Sequence, residues 1–163
     1  MPYEAIIGGA IALIAIILLV LKTNSGVVFF SVCAGSVLAT QLGNEASLIS
    51  STVIKDGDIN KSVAYIVLIL LPAILSAVFM RGSVGSGKFI FNVIPSVAVG
   101  ALLTFLVVPL LPDNISSQVL SSDIWGELQH YQPIILVGGV VSSIILLWFT
   151  QKSHKKDKKH KKH

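Results

Sequence analysis

Few residues of this chain are of a type and spacing that could do chemistry. Gly82-Ser83-Val84-Gly85-Ser86-Gly87-Lys88 matches the start of a phosphate-binding loop, G-x-x-x-x-G-K. That motif continues with a Ser or Thr whose hydroxyl holds magnesium, and it follows a β-strand. Here position 89 is Phe and the preceding run is apolar and too long for a strand, so nucleotide binding is not expected. The segment reads instead as a flexible loop whose Arg81 and Lys88 reach lipid headgroups. His130 lies near Asp123 and Glu127, without a nucleophile motif or metal-ligand spacing, and reads as a solvated side chain. Cys33 stands alone in an apolar run with no basic neighbour, which makes it a small packing residue rather than a reactive thiol. No catalytic, cofactor-binding or metal-binding residue is assigned, no cofactor is expected, and the chain reads as a non-enzyme.

The densest charge is at the end, in QKSHKKDKKHKKH. Lys152, Lys155, Lys156, Lys158, Lys159, Lys161 and Lys162 face a single acid, Asp157. Such a segment cannot bury a core and is expected to be disordered in isolation. Beside a membrane it is drawn to anionic lipid headgroups by about 1 kcal/mol per Lys near the surface. These seven lysines are therefore the lipid-binding residues of the sequence reading. RNA or an acidic protein would use the same charge, and nucleic acid is the less favoured partner. His154, His160 and His163 carry ligand atoms for a metal, but the lysines around them repel a cation.

The elements that must position these groups are five apolar runs, at 5–21, 26–42, 62–80, 89–111 and 133–149, none with a charged residue in its interior. A hydrocarbon core of roughly 30 Å needs about 17–25 helical residues to cross it. The chain is 53% hydrophobic and 12% charged, with mean hydropathy +0.83, whereas ordinary soluble domains carry about 25% charged residues. In lipid every backbone polar group must be satisfied within the segment or a closed barrel, and runs without strict alternation must be helices. Glu4 stands where a signal peptide is basic, and no small-x-small site follows Leu21, so the first run reads as a retained helix. Basic loops stay on the cytoplasmic side. With the tail inside, ten of the twelve Lys and Arg fall inside and only Lys55 and Lys61 fall outside. The expected fold is an all-α, polytopic integral membrane helix bundle of about five transmembrane helices, N-out and C-in. Residues 1–150 form the transmembrane domain and 151–163 the Lys/His-rich cytoplasmic tail.

Small residues spaced by four should face the interior, because helices in lipid associate by close packing. Ser31, Gly35 and Ala39 mark the second run, and Ser96 and Gly100 the fourth. Gly8 with Ala12, Gly9 with Leu13, and Gly138-Gly139 with Ser142-Ser143 mark the first and fifth. The polar residues inside the runs are Ser31, Ser36, Thr40, Asn92, Ser96 and Thr104, expected to bond between helices. Pro72 and Pro95 should bend their helices. Segments 43–61 and 112–132 read as outer loops. The second of these holds Leu120, Ile124, Leu128 and Tyr131 at helical spacing with Trp125 beside them, which fits either a short interfacial helix or an ordered loop.

The layout resembles the colicin V production protein family over residues 5–125. The resemblance is carried by the first helix, the short basic turn, and Ser25-Gly26-Val27-Val28-Phe29-Phe30-Ser31-Val32-Cys33-Ala34-Gly35-Ser36-Val37-Leu38-Ala39. The basic loop after the third helix and Asn92-Val93-Ile94-Pro95-Ser96-Val97-Ala98-Val99-Gly100 extend it. Neither the turn nor the fourth helix has the Arg-Gly pair of that family, so no functional residue carries over. The resemblance implies a bacterial inner-membrane protein supporting envelope or secretion processes. The expected function is that of a small non-enzymatic membrane protein acting in such a process or in a larger complex, with a membrane protein partner or a second copy of itself. The alternative is a small transporter or channel subunit whose path uses Asn92, Ser96 and the two prolines.

Overall fold

The computed structural model describes residues 3–50, 57–84 and 89–160. The described residues form six α-helices: α1 (Tyr3–Val20), α2 (Ser25–Ser50), α3 (Gly57–Phe79), α4 (Phe89–Val107), α5 (Asp113–Leu120) and α6 (Asp123–His160). A single 3-10 turn, Val108–Leu110, joins α4 to α5. Four of the apolar helical stretches are long enough to cross a membrane: Ser25–Leu48, Lys61–Phe79, Ile90–Leu110 and Asp123–Thr150. Ala5–Val20 is a shorter apolar helix. At 1.5 Å per residue the 18 residues of α1 still extend about 27 Å, close to one hydrocarbon thickness.

The helix ends follow from local chemistry. Thr23 N–H donates to the Leu18 carbonyl and Lys22 N–H to that of Leu19, at 3.2 and 3.0 Å, the paired bonds of a Schellman stop. The left-handed position of that stop is usually glycine, yet here it is Lys22, with φ 48°. Beyond α3 the left-handed position falls on a glycine, Gly82, with φ 72°. At the far end Pro109 and Pro112 close α4 and open α5. Ser122 begins α6, its Oγ 3.3 Å from the Trp125 N–H, with Asp123 at the first helical position.

Helices α2 and α4 form the centre. α2 packs on α3, α4 and α6; α4 packs on α1, α2 and α6. Phe29, Val32 and Val99 are fully enclosed at this crossing. α1 leans almost wholly on α4, and α3 on α2. The close approaches occur where the sequence places small residues. A Cβ on Gly35 would stand 2.7 Å from the Ile69 carbonyl oxygen of α3 and 2.9 Å from the Pro72 ring. A Cβ on Gly100 would stand 2.6 Å from the Ile11 carbonyl oxygen of α1. Gly139 lies under the Phe29 ring, and Gly43 under the Tyr65 ring. The outward faces are rich in large aliphatic and aromatic side chains; Phe79 and Ile90 are 79% and 80% exposed. Water would not tolerate so much contiguous apolar surface, and hydrocarbon does.

Three expectations are corrected. Gly8, Gly9, Ala12 and Leu13 lie exposed on α1, and Gly138 on α6, with nothing near the glycines' Cβ positions, so those small residues do not face the interior. α1 has one main partner, α4, and meets it through Ile7, Ile11 and Ala15 instead. The segment 43–61 is helical at both ends: α2 continues to Ser50, because Gly43 is covered by Tyr65 and no breaker follows it, and α3 begins at Gly57. The helical spacing through Leu120, Ile124, Leu128 and Tyr131 is divided between two helices, since Leu120 ends the short helix α5. From Asp123 onward it is the start of α6, which continues through Pro133. That proline costs one backbone bond, to the carbonyl of Gln129, at an exposed part of the helix where other donors can reach it.

Candidate functional site: a buried polar junction

Most of the buried polar side chains among the described residues gather at one end of the bundle; Ser47, Thr104 and Ser116 lie elsewhere. The α1–α2 turn, Thr23-Asn24-Ser25, is buried although it links two helices, and Asn92, Ser96 and Ser143 are buried beside it. Asn92, in the first turns of α4, holds the turn from both sides. Its Oδ1 accepts from the Ser25 N–H at 3.0 Å and its Nδ2 donates to the Thr23 carbonyl at 2.8 Å. These two bonds fix the orientation of the amide. The first amides of α2 have no partner within their own helix, so Asn92 caps α2 from across the bundle. One turn along α4, the Ser96 hydroxyl lies 2.7 Å from that of Ser25 and donates back to the Asn92 carbonyl at 2.6 Å. The Thr23 hydroxyl doubles the stop of α1 by donating to Leu18 at 3.0 Å.

A second set of bonds locks the same end. Gly82 N–H donates to the Leu21 carbonyl and Val84 N–H to that of Lys22, both at 3.1 Å. The α1–α2 turn and the stretch after α3 are therefore clasped backbone to backbone, with Lys22 and Arg81 exposed beside the clasp. α6 closes the third side through Ser143. Gly26 leaves no room there, since a Cβ would stand 3.0 Å from the Ser143 carbonyl oxygen and 3.2 Å from Asn24 Oδ1. Asn24 Oδ1 and Ser143 Oγ are themselves buried without a hydrogen-bond partner among the described residues.

At the opposite end the buried side chains are mainly apolar among the described residues. Ile7, Ala101, Phe105, Val119 and Trp125 pack there, with the Trp125 and Phe105 rings tilted at 5.7 Å between centroids. Two apolar clefts open beside α1. One, of about 350 Å³, runs between α1, α3 and α4 up to α5. The other, of about 430 Å³, lies over α4 between α1 and α6.

Of the polar residues named from sequence, Asn92 and Ser96 join the junction, and Ser31 bonds across to Ser76 of α3. Ser36, Thr40 and Thr104 bond instead to carbonyls of their own helices. Pro95 is buried at the junction, and Pro72 is the ring seated on Gly35. His130 is exposed on α6 with its ring edge-on to Tyr131. Among the described residues no three His, Cys, Asp or Glu side chains gather as metal ligands. Gly85-Ser86-Gly87-Lys88 of the phosphate-loop-like segment lies outside the described residues, as do Lys161 and Lys162 and the side chains of Lys152, Lys155, Lys156, Lys158 and Lys159. The backbone of α6 is helical as far as His160. Thr23, Asn24 and Ser25 escaped the sequence reading because a short turn at a membrane surface is normally solvated. Their one signal is three small hydrogen-bonding residues in succession, without a charge, before Gly26.

Compared with protein-family models, with curated proteins and with solved structures, the chain matches none.

Proposed function

We propose that the chain is a small non-enzymatic integral membrane protein of five passes, N-out and C-in. On this reading it serves a larger membrane complex or an envelope process, and its lysine-rich tail touches anionic lipid. The observation that carries the non-enzymatic, non-conducting part is the fate of the interior polar atoms. Asn92 and Ser96, the groups a polar solute would need, are already bonded to the backbone and hydroxyls of the α1–α2 turn. Both clefts beside α1 have aliphatic walls, which do not favour a hydrated solute. Five passes are supported by the bonds that bring the α1–α2 turn and the stretch after α3 to one end, and by the packing of Ile7 with Trp125 at the other. The orientation rests on the loop charges, and the bacterial inner membrane on the resemblance to the colicin V production family.

α6 supports the tail's part. Its 38 residues extend about 57 Å, far more than one membrane thickness. Tyr131 and Trp148, 53% and 61% exposed, stand seventeen residues apart on it. That is about 25 Å, the separation of two aromatic belts. Lys152 then falls one turn beyond the inner belt, where a polybasic segment meets headgroups. The test reconstitutes the full chain in neutral nanodiscs and adds vesicles. Capture of phosphatidylglycerol vesicles but not phosphatidylcholine vesicles, lost when the seven tail lysines become glutamine, is expected. Equal capture of both vesicle types contradicts the tail's role. Solute flux through proteoliposomes would favour the transporter alternative.

A further inference from the structure

The backbone clasp brings two cations together, and each follows an exposed apolar side chain. Lys22 and Arg81 are both exposed. Val20, two residues before Lys22, is 75% exposed, and Phe79, two residues before Arg81, is 79% exposed. Gly82 N–H donates to the Leu21 carbonyl and Val84 N–H to that of Lys22. Chains joined by such bonds run about 5 Å apart, so the two cations rise from neighbouring points of the backbone. Lys22 holds a φ of 48°, where any side chain costs more than glycine. A residue kept there against its backbone preference points to a use for its side chain. Two like charges so close also repel each other, and the chain's acids lie elsewhere. Seven of the eight belong to segments at the other end of the bundle: the start of α1, the α2–α3 connection and its flanks, α5 and the start of α6. The eighth, Asp157, is among the tail lysines.

We propose that Lys22 and Arg81 hold the phosphate of one anionic phospholipid of the inner leaflet, with its acyl chains against Val20 and Phe79. The proposal rests on the membrane reading above. Along both helices the order is apolar, then cationic, which is the order in which such a lipid presents acyl chain and phosphate. Arg offers a planar fork to two phosphate oxygens and Lys a compact point charge, so the pair can share one phosphate. A soluble phosphate would meet the same cations but leave Val20 and Phe79 without a part. The site differs in kind from the tail. The tail attracts lipid by the number of its charges, whereas here two charges are placed by backbone hydrogen bonds.

The experiment uses the full chain with its seven tail lysines changed to glutamine, which removes the tail's own binding. It is delipidated in detergent and titrated with phosphatidylglycerol or phosphatidylcholine, and bound lipid is counted by native mass spectrometry. One phosphatidylglycerol per chain is expected to be retained, with phosphatidylcholine held at least about ten-fold more weakly, the worth of one hydrogen bond to a charged group. Lys22→Gly and Arg81→Gln are each expected to weaken phosphatidylglycerol by a similar factor. Lys22→Gly should do so while raising Tm, a pairing that a purely structural role for Lys22 would not produce. Lys61→Gln, at the far end of α3, is expected to change nothing. Equal retention of the two lipids overturns the site. So does a loss in Lys61→Gln as large as that in Arg81→Gln, which would mean overall charge and not placement. Displacement of the lipid by an equal concentration of inorganic phosphate would assign the cations to a soluble phosphate and overturn the lipid. If the parent chain captures phosphatidylglycerol vesicles and the glutamine-tail chain shows no preference, this proposal fails and the tail reading stands. A chain that stays in water without detergent sinks both.

Discussion

The two ends of the bundle are held by different forces. At the end with the α1–α2 turn, Asn92 and Ser96 tie down a buried turn, and backbone bonds clasp it to the stretch after α3. At the end with α5, the apolar side chains of Phe105, Trp125, Ile7 and Val119 pack together, beside two apolar clefts. The difference teaches where each kind of glue is useful. In hydrocarbon an apolar side chain gains nothing from moving off lipid onto another helix, so packing alone leaves a joint adjustable. Hydrogen bonds to backbone groups that have no other partner are directional and costly to lose. One end is thus a rigid junction of three segments. The other is a compliant contact, where α1 rests mainly on α4 and touches α5 through apolar side chains.

Between the ends, α2 and α3 meet at Gly35, and the largest effect is expected there. Gly35→Leu cannot fit without pushing the α3 backbone away from Ile69, and we expect at least about 3 kcal/mol of destabilisation, read as loss of the folded peak after thermal challenge in detergent. Asn92→Leu tests the rigid end. It keeps volume but leaves the Ser25 N–H and Thr23 carbonyl buried and unbonded, so about 2–4 kcal/mol should be lost by denaturant titration. Trp125→Phe is the matching change at the compliant end. It nearly keeps shape and removes an N–H that no group among the described residues accepts, so in detergent its cost should stay near about 1 kcal/mol. Equal costs for these two substitutions would break the contrast between the ends. Lys22→Gly sharpens it from the other side: placing glycine at the left-handed stop of α1 should stabilise by up to about 1 kcal/mol, visible as a small rise in Tm. Ser143→Ala should change stability by less than about 0.5 kcal/mol, since that hydroxyl bonds nothing among the described residues.

Much of the architecture was legible in the sequence because hydrocarbon leaves a chain few choices. Long uncharged runs had to be helices, and Gly35 and Gly100 had to mark close contacts wherever a partner helix lay opposite. Gly8, Gly9 and Gly138 carry the same signal and face outward, since spacing alone cannot say which face of α1 or α6 has a neighbour. The junction was half legible. Asn92 and Ser96 stood out as polar groups inside an apolar run, whereas their partners lie in a turn more than sixty residues earlier that only tertiary structure buries. The continuity of α6 was hidden by Pro133, which reads as a boundary in sequence and is tolerated in the fold.

A chain that threads the bilayer an odd number of times, as proposed, leaves its two ends on opposite faces, and their accessibility tests that most directly. A membrane-impermeant label supplied from outside intact cells should reach a tag at Met1 and not one at His163, until the membrane is permeabilised. Labelling of both tags from the same side would contradict the five-pass map, and with it the placement of the tail lysines at the inner surface.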